Sequence, residues 1–351
     1  MLEPRLPVGV GAAMLAALLF GASTPAVKLL STDLGANVGA GLLYLGSGLG
    51  VLLLLAVKHL RGAAIVSVPA NARARFFGAI VAGGVVAPVL LVLGLQATAA
   101  STASLLLNLE GVATAAIAWV VFRENVDRRI ALGMAAIVVG GAVVTVDVSS
   151  GFTFNAGAAL IVGACICWGI DNNLTQAASS ADPLLVAGIK GAAAGSVNVV
   201  VALLLAQPWP SLSTAALLML VGFVGYGLSL ACFVVALRHL GTSRTGAWFG
   251  TAPFVGAVTS LIAFHEPLTW PFAAAGTLMV VGMGLHLQER HEHEHTHEPL
   301  EHDHEHEHDE HHQHAHADGA VIGGKHSHVH HHDPLTHTHP HQPDLHHRHS
   351  H

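Results

Sequence analysis

Phe122-Arg123-Glu124-Asn125 closes an apolar run that begins at Ala99, and 142 positions later Phe264-His265-Glu266-Pro267 closes another. The same offset separates Ser101 from Ser243 and Gly140 from Gly282. Further upstream, Phe20-Gly21, with Lys28 eight residues after Phe20, is echoed by Trp168-Gly169 with Gln176 eight after Trp168, at an offset of 148. Five apolar segments fit into each copy, and an odd number of crossings forces the second copy to enter a membrane upside down. Inverted repeats of this kind build secondary transporters, whose substrate sites lie near the bilayer midplane between the halves.

Composition agrees with a membrane body. The chain is 52% hydrophobic and 11% charged, and 13 of its 22 acids lie in the last 63 residues. Segments of about 20 apolar residues, enough to cross a hydrocarbon core of about 30 Å, are predicted at Pro7 to Leu30, Leu34 to Val57, Phe76 to Leu95, Ala99 to Phe122 and Ile130 to Val146. Five more follow at Ala156 to Ala177, Leu184 to Ala206, Ala215 to Leu237, Thr245 to Ala263 and Leu268 to Leu287. The first is read as a retained helix and not a secretory signal, because it is too long, contains Lys28 and opens a multispan series. The expected fold is all-α: ten transmembrane helices in two inverted repeats, residues 1–148 and 149–288, followed by a disordered cytoplasmic tail, 289–351.

Loop charge orients this bundle, since Lys and Arg gather on the cytoplasmic side. With the N-terminus inside, that side carries Arg5, Lys58, Arg61, Arg73, Arg75, Arg123, Arg128, Arg129, Arg238, Arg244 and Arg290. Loops around Thr32, Thr98, Gly151, Pro208 and Pro267 carry no Lys or Arg. Both termini are therefore expected in the cytoplasm, with the body in the plasma membrane of a prokaryote. Cys165, Cys167 and Cys232 all fall in predicted helices, where they read as packing thiols and not as disulfides. Cys165 and Cys167 point about 200° apart on a helix, which argues against a shared metal.

These features carry a resemblance. The aromatic-Gly pairs Phe20-Gly21 and Trp168-Gly169, the stretch Ser101-Thr102-Ala103-Ser104 leading to Leu109-Glu110-Gly111-Val112, and the helix-ending Glu124 and Glu266 resemble the drug/metabolite transporter superfamily, specifically its EamA-type ten-helix exporters. The second-half equivalent, Thr251-Ala252-Pro253-Phe254, keeps the family's proline, whereas the fourth segment has Gly111 in its place. The resemblance covers about residues 8 to 288. It implies the family's fold and a transport role, and names no substrate.

Ionisable groups in lipid are costly and usually face a cavity or a partner. Glu110, near the middle of the fourth segment, is the leading candidate for a carboxyl that exchanges a proton as substrate binds; the competing reading makes it a structural acceptor for hydroxyls such as Ser104. Asp171 and Asn172 are candidate polar substrate contacts, because the run Asp171-Asn172-Asn173 cannot wholly face lipid. Trp168, Phe20, Tyr226 and Trp248 are candidates for an aromatic cavity wall. Lys28 and Lys190 are expected to snorkel to their interfaces, with ion pairing to Glu110 or Asp171 as the alternative. Glu124 and Glu266 are expected to be structural fixtures at matched helix ends. No enzyme signature is present: there is no phosphate-binding glycine loop, His-Glu-x-x-His or nucleophile with partners.

The tail is of another character. It holds 24 of the 28 histidines, and its 13 acids face only Arg290, Lys325 and Arg348, so a body of +3 and a tail of −10 make up the net −7. His291, His293, His295 and His297, then His302, His304, His306 and His308, recur at every second residue, followed by His311 and His312. In an extended chain such residues stand on one side, about 7 Å apart. Neutral imidazole suits zinc, nickel, cobalt and copper, so the tail is expected to bind such ions, while the fold itself requires no cofactor. Three functions compete: export of a small organic metabolite or drug-like solute beside a metal-binding tail, export of a divalent metal that the tail collects, or a metal-binding or storage module anchored on a body that transports little. The body favours the first, because zinc-like sites want several His, Asp, Glu or Cys near the midplane and His286 is the sole histidine within a span. The expected partners are the lipid bilayer and a small-molecule or metal-ion cargo, without nucleic acid; oligomerisation is left open.

Overall fold

A computed structural model of the chain describes residues 8–123, 128–147, 153–178, 180–233, 235–236, 245, 248–287, 292–297, 300–306, 326–332 and 335–340. The body divides, as the repeats require, into α1 (Val8–Ser31), α2 (Ala36–Leu60), α3 (Ala70–Ala97), α4 (Ala100–Val121) and α5 (Arg128–Thr145), then α6 (Ala156–Ala178), α7 (Pro183–Leu204), α8 (Leu212–Phe233), α9 (Ala252–Phe264) and α10 (Trp270–Leu287). The first eight are long and apolar enough to cross a bilayer, and the last two are shorter apolar helices. A small antiparallel pair, β1 (Val146–Asp147) with β2 (Thr153–Phe154), joins the halves.

Backbone irregularities repeat along with the sequence. Within α3, Ile80–Val86 winds as a π-helix, and 142 positions later Gly222–Leu228 does so within α8. The helix α4 is broken at Leu107-Asn108 between Ala100–Leu106 and Leu109–Val121. The sequence predicts one run from Thr245 to Ala263, but the backbone turns at Gly250-Thr251, after helical Trp248 and Phe249, before α9 begins. Each second piece has 13 residues. Arg123 and His265, just past their ends, take left-handed φ values of 56° and 51°, a conformation that stops a helix. Apolar length alone hid the break in the ninth segment, because a turn inside a bundle needs no polar residue when neighbouring helices surround it.

Packing obeys the same two-fold relation. The strongest pairings are α2 on α7 and α5 on α10, and α4 lies on α6 as α9 lies on α1. Three of these crossings depend on the absence of a side chain. A Cβ on Gly191 would sit 2.7 Å from the Gly48 Cα, so α2 and α7 meet backbone to backbone, as small residues allow in membranes. A Cβ on Gly169 would come within 2.8 Å of Ala113 Cβ in α4, and one on Gly21 would collide with the Ala252 carbonyl of α9. The aromatic-Gly pairs thus mark where each repeat seats the broken helix next to it. Large side chains such as Leu53, Val120, Leu204 and Ile262 are exposed on the outside, while Ala, Gly and Ser crowd the interior. In water such a surface would invite aggregation; in a bilayer it is the solvated face.

The π-stretch of α3 leaves backbone carbonyls without their usual helical donors, and side chains from other helices take them. Tyr44 Oη and Trp168 Nε1 both donate to Gly83 O, at 2.9 and 3.0 Å. Asn198 Nδ2 donates to Val85 O at 3.2 Å and its Oδ1 accepts from Asn37 at 3.1 Å.

Residues 289–351 form a separate unit. The sequence predicts irregular chain here; among the described residues Glu292–His297 runs antiparallel to Leu335–Pro340 and Leu300–His306 antiparallel to His326–His332. Histidines stand opposite one another in this register, His295 with His337 and His304 with His328 among them.

Candidate functional site

The two broken helices meet around one cavity. It measures about 290 Å3 and is bounded by Phe20 of α1, by Leu107, Asn108, Glu110, Gly111 and Val112 at the break of α4, by Phe249, Gly250, Ala252 and Pro253 at the break before α9, and by Ile137 and Met283. Both repeats therefore contribute the same kind of element, the start of a half-helix, to its walls. Glu110 lies in the first turn of the second half of α4, where the partial positive charge of a helix N-terminus favours a carboxylate. Its Oε1 accepts from Asn172 Nδ2 at 3.1 Å, and the same amide reaches Thr114 Oγ1 at 3.1 Å. Ser104, the expected hydroxyl partner, donates instead to Ala100 O at 2.8 Å.

The aromatic wall is narrower than the sequence predicts. Phe20 and Phe249 stand with ring centroids 5.4 Å apart; Tyr226 meets Phe20 edge-on at 5.5 Å, and Phe233 meets Phe249 at 5.0 Å. Tyr226 thus braces the wall from behind. Trp168 is not a wall residue: it is 7% exposed and its N–H is engaged by Gly83 O and Tyr44 Oη. Trp248 precedes the break, 37% exposed, and its carbonyl accepts from Thr251 Oγ1 at 2.6 Å.

Asp171 also departs from expectation. At 1% exposure it pairs with Lys190 and accepts from Thr175 Oγ1 at 2.9 Å, packed against Gly83. A carboxylate this deep is tolerated because a cation and a hydroxyl satisfy it, and Lys190 reaches inward to it and does not snorkel. Lys28 likewise turns to a backbone acceptor, Thr98 O. Glu266 receives the backbone N–H groups of Ala100 and Ser101 at 2.9 and 3.1 Å, capping α4 from the other repeat. Its counterpart Glu124 lies outside the described residues.

Of the tail histidines, His293, His295, His297, His302, His304 and His306 fall on strands, and His291, His308, His311 and His312 lie outside the described residues. Among the described residues no three His, Cys, Asp or Glu gather as a metal site. Asn108, Phe249 and Met283 line the cavity without having been singled out in the sequence. The signal for Phe249 was present, since it stands 142 positions after Leu107; for Met283 there was none.

Among the described residues, ten apolar helices in two inverted halves, with broken helices around a cavity, make a multi-pass membrane protein of transporter type. The EamA-like transporter family model matches residues 7–146 and again 155–287, and the chain belongs to that family. It is similar to an uncharacterized transporter of Methanothermobacter thermautotrophicus, 27% identical over 208 residues, which span 57% of this chain and 60% of that protein. A crystal structure described simply as that of a protein superposes with a TM-score of 0.58 at 17% identity, over 79% of this chain and 95% of that one, a likeness of fold alone.

Proposed function

We propose that the body exports a small organic solute through the cavity at Glu110, from a cytoplasm in which both termini lie, across a prokaryotic plasma membrane, and that the tail binds divalent transition metals beside it. One observation carries this reading: Glu110, hydrogen-bonded by Asn172, lies on the wall formed by the two helix breaks, the place where discontinuous helices hold substrates in other transporter architectures. The cavity is at the small end of those that take organic ligands, and it is mostly apolar with few polar groups, as such sites are. The competing reading, metal export with the tail as collector, draws its support from the tail. In the cavity a metal would find one carboxylate, an amide and a thioether, a thin set for zinc-like ions. No catalytic step is assigned.

Metal-sensitive cells expressing the full chain, a chain stopped at Gln288, or Glu110→Gln separate the two. Organic export predicts that Glu110→Gln leaves cellular zinc, nickel and cobalt at the level of the full chain. Metal export predicts that these ions fall with the full chain and recover with Glu110→Gln.

A further inference from the structure

The cavity is chemically one-sided. Glu110 is the single ionisable side chain among its described lining, and Lys28 and Lys190, the two lysines inside the bundle, are held elsewhere by Thr98 O and Asp171. Glu110 accepts one hydrogen bond, from Asn172, whereas a carboxylate has about four acceptor positions. The same lining includes the phenyl rings of Phe20 and Phe249, against which Tyr226 and Phe233 pack. Ring faces carry negative charge density and attract cations, most strongly where water is excluded.

From this constellation we infer that the cargo is a small organic cation, an amine bound as its ammonium ion or a quaternary ammonium, and that a proton taken by Glu110 releases it. This rests on the transport reading above and gives its substrate class. The ionised Glu110 supplies the countercharge for the ammonium, and Phe20 and Phe249 cover its organic part. When a proton adds to the carboxylate oxygen, the carboxyl becomes neutral, the attraction is lost and the cation leaves with its own charge. One proton enters for each monovalent cation that departs, so the exchange moves no net charge. A solute carboxylate would meet Glu110 as a like charge, and a bare metal ion would find few ligands.

The test uses the full chain in proteoliposomes with an acidic interior. The probes are trimethyl(2-phenylethyl)ammonium, whose fixed charge prevents leakage as a free base, benzenesulfonate and phenylalanine. Wild type is expected to accumulate the ammonium, to lose accumulation when the pH difference is collapsed, and to bind it more weakly as pH falls. Glu110→Gln should cut accumulation at least about tenfold. Phe249→Leu, which keeps the carboxyl, should weaken binding by about tenfold while accumulation still follows the pH difference, and it stands in if the glutamine variant does not fold. Absence of ammonium flux overturns the inference. Flux of benzenesulfonate or phenylalanine in that case leaves the transport reading standing with another class of cargo, and flux of none of the three removes both.

Discussion

Asp171 and Glu110 are two intramembrane carboxyls that the sequence could not tell apart, and their surroundings give them opposite duties. Asp171 has its cation in Lys190 and a hydroxyl in Thr175; Glu110 has an amide and an opening. Lys190→Met should therefore lower stability in detergent by about 3 kcal/mol or more, because the carboxylate is left buried without its cation. Lys190→Met combined with Asp171→Asn should recover most of that loss in a thermal unfolding measurement. Glu110→Gln, by contrast, retains an oxygen for Asn172 and should melt close to the wild type. The Gly83 carbonyl gives a third expectation. Trp168→Phe or Tyr44→Phe alone leaves it one donor and should cost about 1 kcal/mol each, while the double change leaves it bare and should cost more than the sum. Of these pairings the sequence offered Lys190 with Asp171, as the alternative to snorkelling, and Thr175 stands one turn from Asp171 on the same helix; the others join residues from different helices, and the alternation of polar and apolar types places a residue on a helix but does not choose its neighbour.

At the scale of elements much more could be read. Ten apolar segments, their repeat offset and the matched helix ends were visible, because span length and the duplicated sequence are local signals. The π-stretches and the break before α9 were not, although the π-stretches recur at an offset of 142 and the restarted helices at 143. Helical hydropathy is blind to whether an apolar stretch winds as α or π. The aromatic-Gly pairs were visible as a motif, and their role became clear with the crossings: Gly21 and Gly169 are the seats of the two half-helices. Gly169→Leu should push α4 away from α6 and cost several kcal/mol, with loss of folded protein in size-exclusion chromatography. Glu266→Ala should remove the cap on α4 and lower stability by about 1 kcal/mol, and Glu266→Gln should lose less because one oxygen still accepts.

On the scale of the whole molecule, two parts of opposite charge share one chain. A peptide of residues 289–351 should bind zinc or nickel near neutral pH and weaken below about pH 6 as imidazoles take up protons. Isothermal titration that finds no binding at either pH would remove the tail's proposed chemistry and leave the body untouched. Truncation at Gln288 should leave solute flux through the reconstituted body unchanged.

A cavity between broken helices that serves as the path across the membrane opens to each face in turn. Gly111 lies on its wall with open space where a side chain would stand, so Gly111→Cys, in a chain whose Cys165, Cys167 and Cys232 are replaced by Ala, reports access. Impermeant thiol reagents are applied to proteoliposomes from one face or the other. Labelling from both faces is the expected result, and labelling confined to one face under all gradients would mean that the cavity is not the path.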